Sequence, residues 1–114
     1  MEPLLIKTEL PTSGAYGVAI ADLNQDSYLD IVFANHYNGT TRNINSFIYW
    51  GSSTGYSSTN KAELPTIGAT AVAIADLNND GNLDIVFSNN YNGTTFNLNS
   101  FTYCSYSRKL CSVS

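Results

Sequence analysis

The sequence repeats itself once, and this repeat limits the folds open to the chain more than any other feature. Residues 18–24 recur as residues 72–78, and residues 29–33 recur as residues 83–87, each 54 positions later. The similarity extends into polar segments as well as apolar ones. A repeat with the same offset of 54 residues throughout predicts two copies of one supersecondary unit.

Each copy is predicted to contain four short β-strands. The apolar runs are rich in Val, Ile, Phe and Tyr and are bounded by Gly, Asn and Ser, which is typical of strands. The predicted strands of the first copy are residues 17–21, 29–35, 46–50 and 61–64. The second of them is apolar at consecutive positions, so we expect both of its faces to be covered.

Four strands repeated at this spacing indicate β-propeller blades, which bury their faces against neighbouring blades. The predicted fold is therefore all-β, with two four-stranded β-propeller blades per chain. We predict an N-terminal outer strand (1–12), a first blade (13–66), a second blade (67–103) and a divergent C-terminal tail (104–114). The repeat stops after Tyr103, so the second blade is expected to lack its own last strand.

The start of the sequence matches the strand that the second blade lacks. Residues 7–12 repeat residues 61–66 with one difference. Because an unpaired sheet edge is usually covered, we expect this strand to complete a blade of a neighbouring chain. Strand exchange of this kind predicts a cyclic homo-oligomer, a trimer or a tetramer. The alternative is a fragment of a longer propeller, and the sequence leaves both open.

An acidic loop follows the first strand of each copy, with oxygen side chains at loop positions one, three, five and nine. Calcium prefers six to eight oxygen ligands, and position seven can add its backbone carbonyl. The predicted ligands are Asp22, Asn24, Asp26, Tyr28 and Asp30 in the first loop, and Asp76, Asn78, Asp80, Asn82 and Asp84 in the second. Six of the nine acidic residues lie in these loops, so about two Ca²⁺ per chain would offset the net charge of -4.

Two other interpretations of the loops are weaker. An Asp-Gly turn explains a hairpin but not four oxygen positions in both copies. An EF-hand needs Glu at position twelve, where this chain has Phe33 or Phe87. Ser27 replaces the glycine found at Gly81, so the first loop is expected to make its sharp turn with more strain.

The sequence predicts no enzyme. His36 is the only histidine and its equivalent is Asn90, so no catalytic base is repeated with the fold. We find no nucleophile elbow, phosphate loop or dinucleotide motif, and assign no catalytic or cofactor-binding residue besides the metal ligands. The five scattered Lys and Arg residues exclude a nucleic-acid partner. Neither a membrane-inserting segment nor a signal peptide is apparent.

Two questions stay open at this stage. Residues 37–41 and 91–95 carry tyrosine and asparagine, groups that bind sugars but also form ordinary turns. A carbohydrate-binding lectin subunit and a purely structural, self-assembling propeller fragment are therefore alternative functions. Cys104 and Cys111 form either a disulfide in the tail or free thiols.

The second loop, from Asp76 to Asp84 after residues 72–75, resembles the FG-GAP/VCBS repeat family. The resemblance covers both copies up to about Tyr103. It implies propeller blades like those of the integrin α head, with Ca²⁺ held in the loop. It also implies an extracellular or cell-surface location and a module of adhesion or recognition type that binds a glycan or a protein.

Overall fold

The computed structural model describes residues 5–104, which form two antiparallel β-sheets and contain no helix. The strands are β1 Ala15–Ala21, β2 Asp30–Asn35, β3 Asn43–Tyr49, β4 Lys61–Ile67, β5 Ala69–Ala75, β6 Asp84–Asn89 and β7 Phe101–Cys104. The all-β prediction is confirmed. No helix in this part of the chain is long and apolar enough to cross a membrane.

Each sheet corresponds to one copy of the repeat. We name the four-stranded sheet, with the strand order β1-β2-β3-β4, blade 1, and the three-stranded sheet, with the order β5-β6-β7, blade 2. The predicted strands of the first copy lie in the right places, but β3 begins earlier and β4 ends later than expected. These extra residues pair with each other, from Asn43 opposite Ile67 onwards, so cross-strand pairing extends strands that the local sequence does not mark.

The two blades share one register. Val18 lies opposite Phe33 in blade 1, as Val72 lies opposite Phe87 in blade 2. Both sheets also have a register shift near the start of their first strand. Side chains 54 positions apart therefore occupy equivalent places, and the blades can be compared residue by residue.

The core lies between one face of each blade. Cross-strand partners and strand alternation define these faces. The Val32 face of blade 1 consists of Ala19, Val32, Ala34, Ile48 and Leu64, and the Val72 face of blade 2 consists of Val72, Ile74, Ile85, Phe87 and Phe101. Val32, Ala34 and Phe87 are completely buried where the two faces meet.

The first strands of the two blades approach closely. A Cβ atom added at Gly17 would lie 3.0 Å from the Cα atom of Ala71 and 3.0 Å from the carbonyl oxygen of Thr70. A larger residue at this position would push β1 away from β5. Glycine therefore allows the inner strands to pack against each other.

The outer faces of the two blades are more exposed. The Val18 face of blade 1 consists of Val18, Ile20, Ile31, Phe33 and Phe47, and the Ala71 face of blade 2 consists of Ala71, Ala73, Val86, Ser88 and Thr102. Val18 and Ile20 are 56% and 58% exposed. The expectation that both faces of the second strand are covered therefore holds, within the described chain, for one face of β2 only.

The predicted terminal segments are only partly described. Residues 5–12 form neither helix nor strand, and Leu5 is fully exposed. Cys104 ends β7 and is disulfide-bonded, while Cys111 and the rest of the predicted tail lie outside the described residues.

Candidate metal centre

The two acidic loops lie side by side at one end of the blades. The first connects β1 to β2 and the second connects β5 to β6. The side-chain amide of Gln25 joins them, because its Nε2 donates to the carbonyl oxygen of Gly81 and to Oδ1 of Asn82, both at 3.0 Å. This contact between the loops could not be predicted from the sequence, because Gln25 and Asn82 are 57 positions apart.

The carboxylate at position one organises each loop. Oδ1 of Asp22 accepts a hydrogen bond from the backbone N–H of Asp26 at 3.1 Å, and Oδ2 accepts one from Ser27 at 2.8 Å. In the second loop, Asp76 accepts the equivalent bonds at 3.2 and 2.9 Å. Both loops therefore wrap around their first aspartate in the same way.

Positions three and five converge on this first carboxylate. One terminal atom of the Asn24 amide lies 3.2 Å from Oδ1 of Asp22 and 2.9 Å from Oδ1 of Asp26. An amide nitrogen at that point would donate to both carboxylates. An amide oxygen there would form a cluster of three oxygens, and a bound cation would relieve the repulsion among them.

The second loop has the same cluster. The Asn78 amide lies 3.2 Å from Oδ1 of Asp76 and 2.9 Å from Oδ1 of Asp80. No three His, Cys, Asp or Glu side chains converge anywhere within residues 5–104. What each loop brings together is two carboxylates and one amide, a set of hard oxygen donors that suits Ca²⁺.

Position seven lies at the rim of each loop. The backbone N–H of Tyr28 donates to Oδ1 of Asp26 at 3.0 Å, and that of Asn82 donates to Oδ1 of Asp80 at 2.9 Å. The ring of Tyr28 is exposed. The position-seven residue is thus held in the loop by its backbone N–H, and the ligand role of its backbone carbonyl stays a prediction.

Position nine is buried and closes the base of each loop. Both oxygens of Asp30 accept backbone hydrogen bonds at 2.8 Å, Oδ2 from Leu23 and Oδ1 from Gly51. Gly51 is required at its position because an added Cβ would lie 2.2 Å from the carbonyl oxygen of Leu29. The sequence predicted Asp30 as a metal ligand, which stays a prediction, and did not predict its hydrogen bond with Gly51.

Within residues 5–104, Asp84 has fewer hydrogen-bond partners than its equivalent, Asp30. Its Oδ2 accepts a hydrogen bond from the backbone of Leu77 at 2.8 Å. Its Oδ1 is buried and accepts none from the described residues. A buried acceptor without a partner is costly, so a donor or a cation at this atom would stabilise the loop.

The backbone of both loops passes twice through the left-handed region. Gln25 and Asn79 at position four both have φ of 59°. At position six, Ser27 has φ of 75° and Gly81 has φ of 89°. The expected strain at Ser27 is thus present, since this conformation costs a residue with a Cβ atom about 1–2 kcal/mol.

The loops at residues 37–41 and 91–95 use their asparagines internally. Oδ1 of Asn38 accepts hydrogen bonds from the backbone of Thr40 and Thr41, both at 2.9 Å. Asn92 does the same in the second copy, at 2.8 and 2.9 Å. These asparagines therefore stabilise turns.

The tyrosines of these loops also have partners. The guanidinium carbon of Arg42 lies 4.2 Å from the ring centre of Tyr37 and 4.8 Å from that of Tyr91. Phe96, the equivalent of Arg42, stacks on Tyr91 at 4.3 Å. Tyr37, Arg42, Tyr91 and Phe96 thus form a continuous stack across both blades.

His36 follows β2 and is buried. It is 8% exposed and packs on Tyr16, with ring centres 4.2 Å apart. Its Nδ1 has no hydrogen-bond partner among the described residues. It acts as a packing residue at the end of β2.

Comparison with known families agrees with this architecture. A family model described as an FG-GAP-like repeat matches residues 22–87, more than half of the chain. The match begins at the first aspartate of the first loop and ends in β6, after the second loop. Comparisons with curated proteins and with solved structures gave no match. The chain belongs to the FG-GAP-like repeat family.

Proposed function

We propose that this chain is a non-enzymatic β-propeller repeat module in which each acidic loop binds one Ca²⁺. The observation that carries the proposal is the convergence of positions one, three and five at the same distances of 3.2 and 2.9 Å in both loops. The two loops differ at positions four, six and seven but keep this arrangement of two carboxylates and one amide.

The side chains of Asp22, Asn24 and Asp26 would hold the first ion, and those of Asp76, Asn78 and Asp80 the second. The carbonyls of Tyr28 and Asn82 and the carboxylates of Asp30 and Asp84 complete the proposed ligand sets. A bound cation supplies positive charge that offsets the repulsion between neighbouring carboxylates. Its binding free energy adds to the stability of the folded loop.

The position of the second loop explains how a bound ion would stabilise the contact between the blades. The second loop joins β5 to β6, and this hairpin carries Ile85 and Phe87 into the core between the blades. An ion that fixes the loop therefore fixes the hairpin on which the blade contact depends. Calcium acts here as a structural ion.

The biological role that we propose is adhesion or recognition outside the cell. FG-GAP-like repeats are generally non-enzymatic and typically extracellular, which supports this assignment. Extracellular calcium modules have dissociation constants of about 10⁻⁴ to 10⁻³ M, and we expect an affinity in that range. The internal contacts of Tyr37, Asn38 and Tyr91 do not favour a sugar-binding site in their loops.

Isothermal titration calorimetry with Ca²⁺, together with thermal unfolding, tests the proposal. The unchanged chain should bind two ions and unfold at a lower temperature after chelation. A site held at a hundred times its dissociation constant contributes about 2.7 kcal/mol. Asp80→Ala should reduce the stoichiometry to one ion and lower the unfolding temperature in calcium.

Glu63→Ala is the matched control because it also removes one carboxylate, from an exposed position outside the loops. It should still bind two ions. The proposal fails if Asp80→Ala keeps both ions, or if calcium has no effect on the unfolding temperature of the unchanged chain.

A further inference from the structure

The outer edge of blade 2 differs from that of blade 1. In blade 1, β3 pairs with β4 on its outer side, whereas β7, the equivalent of β3, is the edge strand of its sheet. Among residues 5–104 no strand pairs with the outer side of β7. An open edge of this kind is a template for another strand.

The chain carries a second copy of the strand that would fit. Residues 7–12 repeat residues 61–66 at five of six positions and differ only at Thr8, where β4 has Ala62. Lys7 and Glu9 form an ion pair at 3.1 Å, as Lys61 and Glu63 do at 3.5 Å. Residues 7–12 nevertheless pair with no strand among residues 5–104.

The segment is attached to blade 1 as β4 is attached to blade 2. The Tyr49 hydroxyl donates to the carbonyl oxygen of Pro11, and the Tyr103 hydroxyl donates to that of Pro65. The backbone N–H of Ser13 donates to Oδ1 of Asn35 at 3.0 Å, and Ile67 makes the same bond to Asn89 at 3.0 Å. Residues 7–12 therefore lie where the outer strand of a preceding blade would end.

β7 and the residue two positions before it carry the same side chains, an asparagine and a phenylalanine, with which β3 contacts β4. Nδ2 of Asn45 donates to Oε1 of Glu63 at 3.0 Å, and this hydrogen bond is the main reason why the pKa of Glu63 lies below its usual value. The Lys61 ammonium lies 4.0 Å from the ring centre of Phe47. Asn99 and Phe101 stand at the positions of Asn45 and Phe47.

The one sequence difference between the two outer strands has a matching difference in its partner. In blade 1, Ile48 lies directly opposite Ala62. The equivalent positions are Thr102 in β7 and Thr8 in the N-terminal segment. An apolar pair is thus replaced by a pair of threonines, which also interact favourably across strands.

We propose that residues 7–12 of a second copy of this chain add to β7 as the fourth strand of blade 2, with Thr8 opposite Thr102 and Glu9 opposite Phe101. The contact joins different surfaces of the two copies, so the same contact can form again with each further copy. The assembly closes into a ring when the rotation from one copy to the next adds up to a full turn. Three or four copies give six or eight blades, which are common propeller sizes. This inference does not depend on calcium binding.

The same contact brings the two outer faces together. Inside the chain, the Val32 face of blade 1 covers the Val72 face of blade 2. Between copies, the Ala71 face would cover the Val18 face in the same manner. Ser88 and Thr102 replace Ala34 and Ile48, so the contact between copies is more polar than the one inside the chain. We therefore expect assembly that depends on protein concentration.

Light scattering coupled to size-exclusion chromatography, over a range of concentrations, tests the proposal with the full chain. The unchanged chain should reach a mass of three or four copies. Thr8→Pro should remain monomeric, because proline disrupts pairing inside a strand ladder. Leu5→Pro is the matched control, since Leu5 is fully exposed and lies outside the proposed register, and it should assemble normally.

Two double variants test the register. Thr8→Lys with Thr102→Glu places opposite charges face to face, and Thr8→Lys with Thr102→Lys places like charges there. The oppositely charged variant should associate at least roughly fivefold more tightly at each contact. Equal association of the two variants would overturn the proposed register.

Calcium titration separates this inference from the calcium proposal. At a protein concentration too low for assembly, circular dichroism and calcium titration of Thr8→Pro should match those of the unchanged chain, because Thr8 is exposed and outside both loops. A monomeric unchanged chain at every concentration would overturn the inference and favour completion of the blade by further repeats of a longer chain. Assembly that survives Thr8→Pro would overturn it as well.

Discussion

Blade 1 and blade 2 have the same register and nearly the same strand sequences, yet they bury different faces. Phe87 is completely buried against blade 1, whereas its equivalent Phe33 is only half-buried. The difference arises because blade 1 covers the Val72 face, while the Val18 face has no blade against it in the described chain. In a repeat protein, the contribution of a residue to stability depends on its neighbouring units as much as on its own unit.

The largest expected effect tests this asymmetry directly. Phe87→Ala should lower the free energy of unfolding by about 3–5 kcal/mol, because it leaves a cavity between the blades. Phe33→Ala should cost clearly less, since its side chain already contacts water. Urea unfolding of both variants at low protein concentration measures the difference. Equal losses would show that the faces are equally covered and would break the comparison.

The repeat explains how much of the fold could be predicted. Short apolar runs placed all of the first-copy strands because strand periodicity is a local signal. The ends of β3 and β4 were missed, since Asn43 and Ile67 are held by each other and not by local preference. Which face of β2 is buried could not be predicted either, because both faces are apolar in sequence and only the packing of the blades distinguishes them.

The two loops differ at their bases in the hydrogen bonds of their position-nine aspartates. Asp30 accepts hydrogen bonds with both oxygens, whereas Oδ1 of Asp84 accepts none from the described residues. Asp30→Asn turns one acceptor into a donor that faces a backbone N–H, so it should cost about 2 kcal/mol. Asp84→Asn should cost less, because its new N–H₂ group can replace the oxygen that accepts no hydrogen bond within residues 5–104.

Both asparagine variants should be unfolded in the presence of a chelator, so that loss of a metal ligand does not contribute to the result. The thermal unfolding temperature is the measurement, and Glu63→Gln provides a control for the loss of one charge. If Asp84→Asn is as destabilised as Asp30→Asn, the two loop bases are equivalent and the comparison is wrong on this point.

The proximity of positions one, three and five could be expected from their spacing. Alternation of polar and spacer residues brings these side chains together in both loops, while their role as metal ligands stays a prediction. The contact of Asp30 with Gly51 was not predictable, because the two residues are 21 positions apart and meet only through the fold. The same is true of Gln25, which reaches Asn82 across 57 positions.

The smallest expected effect concerns position six, where the two loops share a conformation but not a residue. Ser27 and Gly81 both have positive φ, and a Cβ atom added at Gly81 would meet nothing within 4 Å. Backbone strain is therefore the main difference between the two residues at this position.

Ser27→Gly should stabilise the chain and Gly81→Ser should destabilise it, each by about 1 kcal/mol, since glycine avoids the strain but loses more entropy on folding. Chemical unfolding with a chelator present measures both. Opposite shifts of similar size would establish that the first loop carries a strain that the second avoids, whereas shifts of the same sign would place the difference between the loops in their side-chain contacts.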